Sequence, residues 1–164
     1  MIDRFAEWAN NAGLIVQRAD EPISFSEGVL SRYKNIPEEW FKFMESFNSI
    51  TNEAEDVYFL TIDYFADNCS YFEDISLDAA DGDDEWTASI KAFWDKTLPI
   101  VMGVGGDYHY YAIDLETGEV VEGWEPEFED TSVVAGSFYE FLEKLMSGEI
   151  VLGGKKLRFN SSKE

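Results

Sequence analysis

Basic residues are scarce in this chain, and two long stretches have none. Lys and Arg total 12 against 34 Asp and Glu, a formal net charge of -22 at pH 7. No Lys or Arg occurs between Phe43 and Ile90, nor between Thr97 and Glu143. Such a surface repels nucleic acid, anionic membranes and anionic substrates, and it attracts and steers cationic partners. Cysteine is nearly absent as well. Cys69 stands alone, which excludes an internal disulfide, and with His109 as the single histidine no zinc pattern exists. No apolar run approaches the ~20 residues of a transmembrane helix. The first residues carry Asp3 and Glu7 and lack the basic start and apolar run of a signal peptide. These absences point to a reducing, cytoplasmic setting, with no nucleic acid and no membrane as partner.

What is present is apolar bulk. Hydrophobic residues make up 45% of the 164 residues and aromatics 16%. That excludes a disordered acidic chain and suits one domain, residues 1–164, with one core. Burial of Phe, Tyr and Trp, at roughly 25 cal/mol per Å² of apolar area, offsets the self-repulsion of the acids.

Periodicity sketches the elements. Residues 2–12 read as a helix with Phe5, Trp8, Ala9 and Ala12 on one face and Gly13 as its stop. Ser24-Phe25-Ser26-Glu27 is a capping-box pattern that opens a second helix toward Lys34. Pro37 starts a third, with Glu38 and Glu39 in its first turn and Trp40, Phe43, Met44 and Phe47 as its core stripe. Residues 48–56 read as a polar loop and 57–65 as a strand. Residues 78–85 read as an exposed acidic loop, followed by a helical stripe of Trp86, Ile90, Phe93 and Trp94. Strands are expected at 99–104, 108–114 and 119–124, the last two joined by a Glu116-Thr117-Gly118 turn, as an antiparallel meander over 99–124. A second acidic loop covers 125–130. Ser137 and Glu140 form another capping box, Phe138, Phe141, Leu142 and Leu145 a last apolar face, and Gly148 its end. Residues 149–159 suit a small closing hairpin. The fold class is α+β: one domain with a mostly antiparallel sheet flanked by N-terminal and C-terminal helices.

Catalytic signatures are thin. A hydrolase device would need His109 with Asp107 or Asp114, yet no nucleophile elbow accompanies them; a packed strand histidine among Tyr108, Tyr110 and Tyr111 is the simpler reading. Gly103-Val104-Gly105-Gly106 follows a strand but lacks the third glycine, the Lys-Ser/Thr and the following helix of a phosphate loop, so it reads as a turn. Asp78, Asp81, Asp83, Asp84 and Glu85 carry the carboxylates that calcium favours, without the spacing of an EF-hand. No pair among 34 acids singles itself out for glycoside chemistry. The expectation is no catalytic residue, no metal and no cofactor.

Three stretches resemble a known family. Ile36-Pro37-Glu38-Glu39-Trp40-Phe41-Lys42-Phe43 is similar to an early helix of the SUKH superfamily, in its Smi/Knr-type branch. Pro99 to Asp107, then Tyr108 to Leu115 and Thr117-Gly118-Glu119-Val120, resemble that family's central strand, Gly-rich turn and hairpin. Val134-Ala135-Gly136-Ser137-Phe138-Tyr139-Glu140-Phe141-Leu142 is similar to its closing helix. The three occur in the family's order and span most of the chain. Asn48-Ser49 stands where the family often has Asn-Gly, and the stretch 64–86 has no clear counterpart. The resemblance implies a non-enzymatic binding protein, with bacterial members acting as immunity proteins that neutralise toxin domains, many of them nucleases. Pro37, Trp40, Gly106, Asp107, Asp114 and Phe138 match motif positions as fold-forming residues.

The expected function is therefore a bacterial, cytoplasmic immunity protein that engages a cationic toxin domain through its acidic surface. The alternatives are a general interaction or scaffold domain of the same fold and a small hydrolase. The expected contact residues are Asp78, Asp81, Asp83, Asp84 and Glu85 in one stretch and Glu125, Glu127, Glu129 and Asp130 in the other. Trp124 is expected to be an aromatic anchor beside the second stretch, because interface energy concentrates in buried Trp, Tyr and Arg.

Overall fold

A computed structural model describes residues 1–21, 24, 27–61 and 70–152. Its frame is a seven-stranded antiparallel sheet whose strands lie side by side in chain order. These are β1 (Ile15–Arg18), β2 (Phe47–Thr51), β3 (Val57–Phe59), β4 (Thr97–Gly103), β5 (His109–Asp114), β6 (Val120–Trp124) and β7 (Ser132–Ala135). The described helices are α1 (Ile2–Asn11), α2 (Glu27–Arg32), α3 (Glu38–Glu45), α4 (Tyr71–Ala79), α5 (Asp84–Asp95) and α6 (Phe138–Ser147).

Strand alternation sends neighbouring side chains to opposite faces, and both faces are covered. Tyr111 packs on Phe141 of α6 at 5.0 Å between ring centroids, and Phe43 of α3 meets both Phe5 of α1 and Phe138 of α6. Tyr110, one residue earlier, packs on Trp94 of α5 at 5.1 Å and on Phe72 of α4. Thus α1, α3 and α6 lie on one face, and α4 and α5 on the other. Burial on both sides is why β4 is buried along its whole length instead of alternating.

The expected meander is present as β4, β5 and β6. Gly118 takes a positive φ of 82° in the turn before β6. β4 begins at Thr97, two residues before the expected Pro99, and its register shifts between Pro99 and Val101. A proline is tolerated at such an irregularity because it has no N–H for the ladder. Helix ends follow local chemistry. Gly13 leaves α1 with φ 91°, and Gly148 leaves α6 with φ 83°. Ser137 Oγ accepts from Glu140 N at 3.1 Å, while Glu140 Oε2 accepts from Gly136 N rather than from the cap residue. The capping box is therefore closed one residue upstream.

Several expectations change. The polar stretch 48–56 begins as β2, because Phe47 and Ile50 are buried while Asn48 is exposed; the turn occupies only 52–56. Phe47 keeps its place in the core but belongs to β2, not to α3. β7, unforeseen, is a four-residue edge strand paired with β6. Residues 78–85 are not a loop: Asp78 lies in the last turn of α4, Asp84 and Glu85 open α5, and only 80–83 form the turn. The second helix is shorter than expected, and Phe25 and Ser26 of its proposed capping box lie outside the described residues. So do Cys69, the 62–65 half of the expected strand and residues 153–159 of the expected closing hairpin; 149–152 are not a strand. Among the described residues, no helix is long and apolar enough to cross a membrane.

Candidate functional site

The second acidic stretch folds back onto the two helices that flank the first, but Asp78, Asp81, Asp83, Asp84 and Glu85 do not line the groove it forms there. The loop 125–130 leaves β6 and lies against α4 and α5, where three contacts hold it. Phe128 is buried and stacks on Phe72 at 4.5 Å with an interplanar angle of 8°. The Tyr110 hydroxyl donates to the Phe128 carbonyl. Glu129 Oε2 accepts from Ser76 Oγ and from Trp94 Nε1, both at 2.8 Å. Phe128 and Glu129 thereby fix the loop against the α4–α5 hairpin.

Between loop and hairpin runs a groove of about 760 Å³. Ile75, Ala79, Trp86, Pro126 and Phe128 give it apolar walls, and Glu125, Glu127, Glu129 and Asp130 line it with carboxylates. No Lys or Arg is among its described lining residues. A second groove, between the ends of α1 and α6, is lined by Trp8, Met146 and Ile150 and has no charged lining residue. It offers nothing that selects a charged partner.

The expected contact residues divide by what they already do. Asp83 is the N-cap of α5, its Oδ1 accepting from Trp86 N at 2.9 Å, and Asp84 and Glu85 follow in the first turn, where the helix dipole favours acids. Asp78, Asp81, Asp84 and Glu85 are solvent-exposed. Glu125 is partly committed to the fold: its Oε1 accepts from Tyr108 N at 2.7 Å, and its own N–H donates to the Tyr108 carbonyl at 2.9 Å. Glu129 is committed as described. Glu127 and Asp130 are exposed and available. Among the described residues, no three His, Cys, Asp or Glu side chains converge as a metal site requires.

Trp124 lies apart from this groove. β6 pairs Trp124 with His109, which places both on the sheet face of α1, α3 and α6, away from the groove. Its ring stacks on His109 at 4.5 Å and remains 37% exposed. The exposed aromatic on the groove is instead Trp86, 46% exposed, which the helical stripe had assigned to the core. Its angular position suits the core, but it sits in the first turn of α5, beside the loop 125–130. Ile90 and Trp94, further along the helix, are the buried members.

Asp114 Oδ1 accepts from Glu116 N to shape its turn, and Asp107 is exposed. His109 is buried, with Tyr111 at its edge and Trp124 on its face; Tyr110, expected beside it, points to the other face. Gly105 packs against the Asp56 carboxylate, and Val104 N donates to the Asp56 carbonyl at 2.7 Å. A turn that leans on a carboxylate is not built for phosphate.

His109 has no partner for Nε2, and burial pushes it down from 6.5 to about 4. Its folded pKa lies below its unfolded one, so between those values the unfolded chain binds a proton that the folded chain refuses. The stability this group contributes is fully present above about pH 6.5 and falls by about 3 kcal/mol as pH drops to about 4. Denaturant unfolding at pH 7 and pH 4.5 checks this: the wild type should lose about 2 kcal/mol more than His109→Asn over that interval. Equal losses exclude the effect.

In comparisons with known proteins, the chain matches no protein-family model, no curated protein and no solved structure.

Proposed function

We propose that this is a non-enzymatic, cytoplasmic immunity protein of the Smi/Knr type, which neutralises a cationic toxin domain through the acidic groove between the loop 125–130 and the α4–α5 hairpin. One observation supports the reading above others. Residues 75–86 and 125–130, one set from each of the two stretches without a base, meet around one groove, and no Lys or Arg lines it among the described residues. Interfaces combine an apolar centre with a charged rim, and complementary charge raises the association rate. A nuclease toxin presents a basic groove to hold phosphates, and an acidic protein seated there excludes the substrate.

Coexpression with the toxic domain encoded beside the gene tests the proposal. Growth should be rescued, and a complex should form at low salt. Continued toxicity with no complex overturns the reading. Because Glu125 and Glu129 serve the fold, the informative charge reversals are Glu127→Lys and Asp130→Lys. Made together, they should slow association roughly tenfold at low salt and much less at high salt. An unchanged rate removes this loop from the interface.

A further inference from the structure

We infer that the groove is an arginine acceptor: it takes the guanidinium of a basic polypeptide segment between the Trp86 ring and the free oxygen of Glu129. The inference rests on the proposed binding of a cationic protein and names the chemistry that this groove selects.

Glu129 is the first ground. Both of its donors, Ser76 Oγ and Trp94 Nε1, bond to the same oxygen, Oε2. Oε1 accepts nothing among the described residues. The two donors are neutral, so the carboxylate is held in place without a countercharge. The contrast is Glu73, in α4, whose two oxygens both receive Arg32. A carboxylate that is oriented, partly buried and unneutralised is already arranged for an incoming cation, which then loses little entropy in finding it.

Trp86 is the second ground. Its ring has no aromatic partner among the described residues, and it lines the same groove as Glu129. An indole face is the best aromatic surface for a cation, and a guanidinium suits it better than an ammonium. The guanidinium is planar, weakly hydrated and able to stack while its edge N–H groups bond to carboxylates. Glu127 and Asp130 stand on the rim for its remaining donors. The groove volume, about 760 Å³, exceeds one side chain, so the occupant is a segment of chain that brings apolar neighbours against Ile75 and Pro126.

Titration calorimetry at low salt with two capped peptides of equal length tests this, one with arginine and one with lysine at alternating positions. The arginine peptide should bind roughly fivefold more tightly than the lysine peptide. Trp86→Ala should abolish that preference. Glu129→Gln, whose amide oxygen still accepts from Ser76 and Trp94, should weaken the arginine peptide roughly tenfold without lowering the melting temperature. Glu38→Gln, on α3 across the sheet, should change neither. Equal binding of the two peptides by the wild type, or a preference that survives Trp86→Ala, overturns the inference. Spermidine binding as tightly as the arginine peptide overturns it in favour of a small polyamine. The two readings also separate. If the wild type binds its toxin and Trp86→Ala leaves that complex unchanged, the arginine site is wrong and the immunity reading stands. If the arginine preference holds but no toxin is bound, the immunity reading falls alone.

Discussion

Gly103→Ala is expected to lower stability by about 2 kcal/mol, although the substitution adds one methyl to a strand. A Cβ at Gly103 would lie closer than 3.0 Å to both Cε1 and Nδ1 of the His109 ring. The two residues are paired across β4 and β5, and His109 is paired in turn with Trp124 across β5 and β6. The imidazole thus fills the space above the glycine and is backed by an indole at 4.5 Å. To admit the methyl, either the strands part or the ring displaces Trp124 into water. The test is a double-mutant cycle by denaturant unfolding. In a His109→Ala background the methyl has room, so the added cost of Gly103→Ala should fall below about 0.5 kcal/mol. A cost that persists in that background places the strain in the backbone and not in the His109 ring.

A larger loss, about 3 kcal/mol, is expected for Arg32→Ala. The Arg32 guanidinium donates from Nη1 and Nη2 to the two oxygens of Glu73, each at 2.8 Å, and from Nε to Asp95 at 3.1 Å. It therefore ties α2 to α4 and α5 with one side chain. The Glu73 side chain is only 7% exposed, so removing Arg32 strands a carboxylate away from water. The same contacts hold the Arg32 charge more firmly than usual, chiefly through the Glu73 hydrogen bonds. Arg32→Lys should recover less than half of the loss, because an ammonium cannot make the parallel pair of bonds. Arg32→Met with Glu73→Leu should recover most of it, since no unpaired charge is left behind. Chemical denaturation of the four proteins decides the matter. If Arg32→Ala costs less than about 1 kcal/mol, water reaches Glu73 and the pair is a surface one.

Arg32 also shows where reading along the chain stops. Counted in sequence, the span from Phe43 to Ile90 has no base; in space, Glu73 within it is neutralised by a base from outside it. What could be read directly was whatever repeats with a period. The stripes of α1, α3 and α6, the β4–β6 meander and the glycine stops at 13 and 148 all follow from local spacing. β2 was hidden because Asn48 and Ser49 make it look polar, when a register shift opposite Gln17 and Arg18 leaves Asn48 unpaired and exposed while Phe47, Ile50 and Thr51 stay buried. β7 was hidden by its length of four residues. For the site, the acids themselves were legible and their duties were not. Whether Glu125 and Glu129 face solvent or hold the loop depends on partners in β5, α4 and α5. Which tryptophan borders the groove depends on strand register: one residue of parity in β6 sends Trp124 to the far face, leaving the place to Trp86.

The layer formed by α1, α3 and α6 sets the order in which the protein can be completed during synthesis. Phe5 and Phe43 emerge early, and Tyr111 follows with β5, but Phe138 and Phe141, which cover Phe43 and Tyr111, come from the last described helix. The other face closes sooner, since α4 and α5 precede β5 and the loop 125–130 follows β6 directly. A ribosome-bound chain that has not yet released α6 therefore carries a finished acidic side and an open aromatic one. In that interval the exposed Phe and Tyr surface is what a chaperone would hold, or what neighbouring chains would aggregate through.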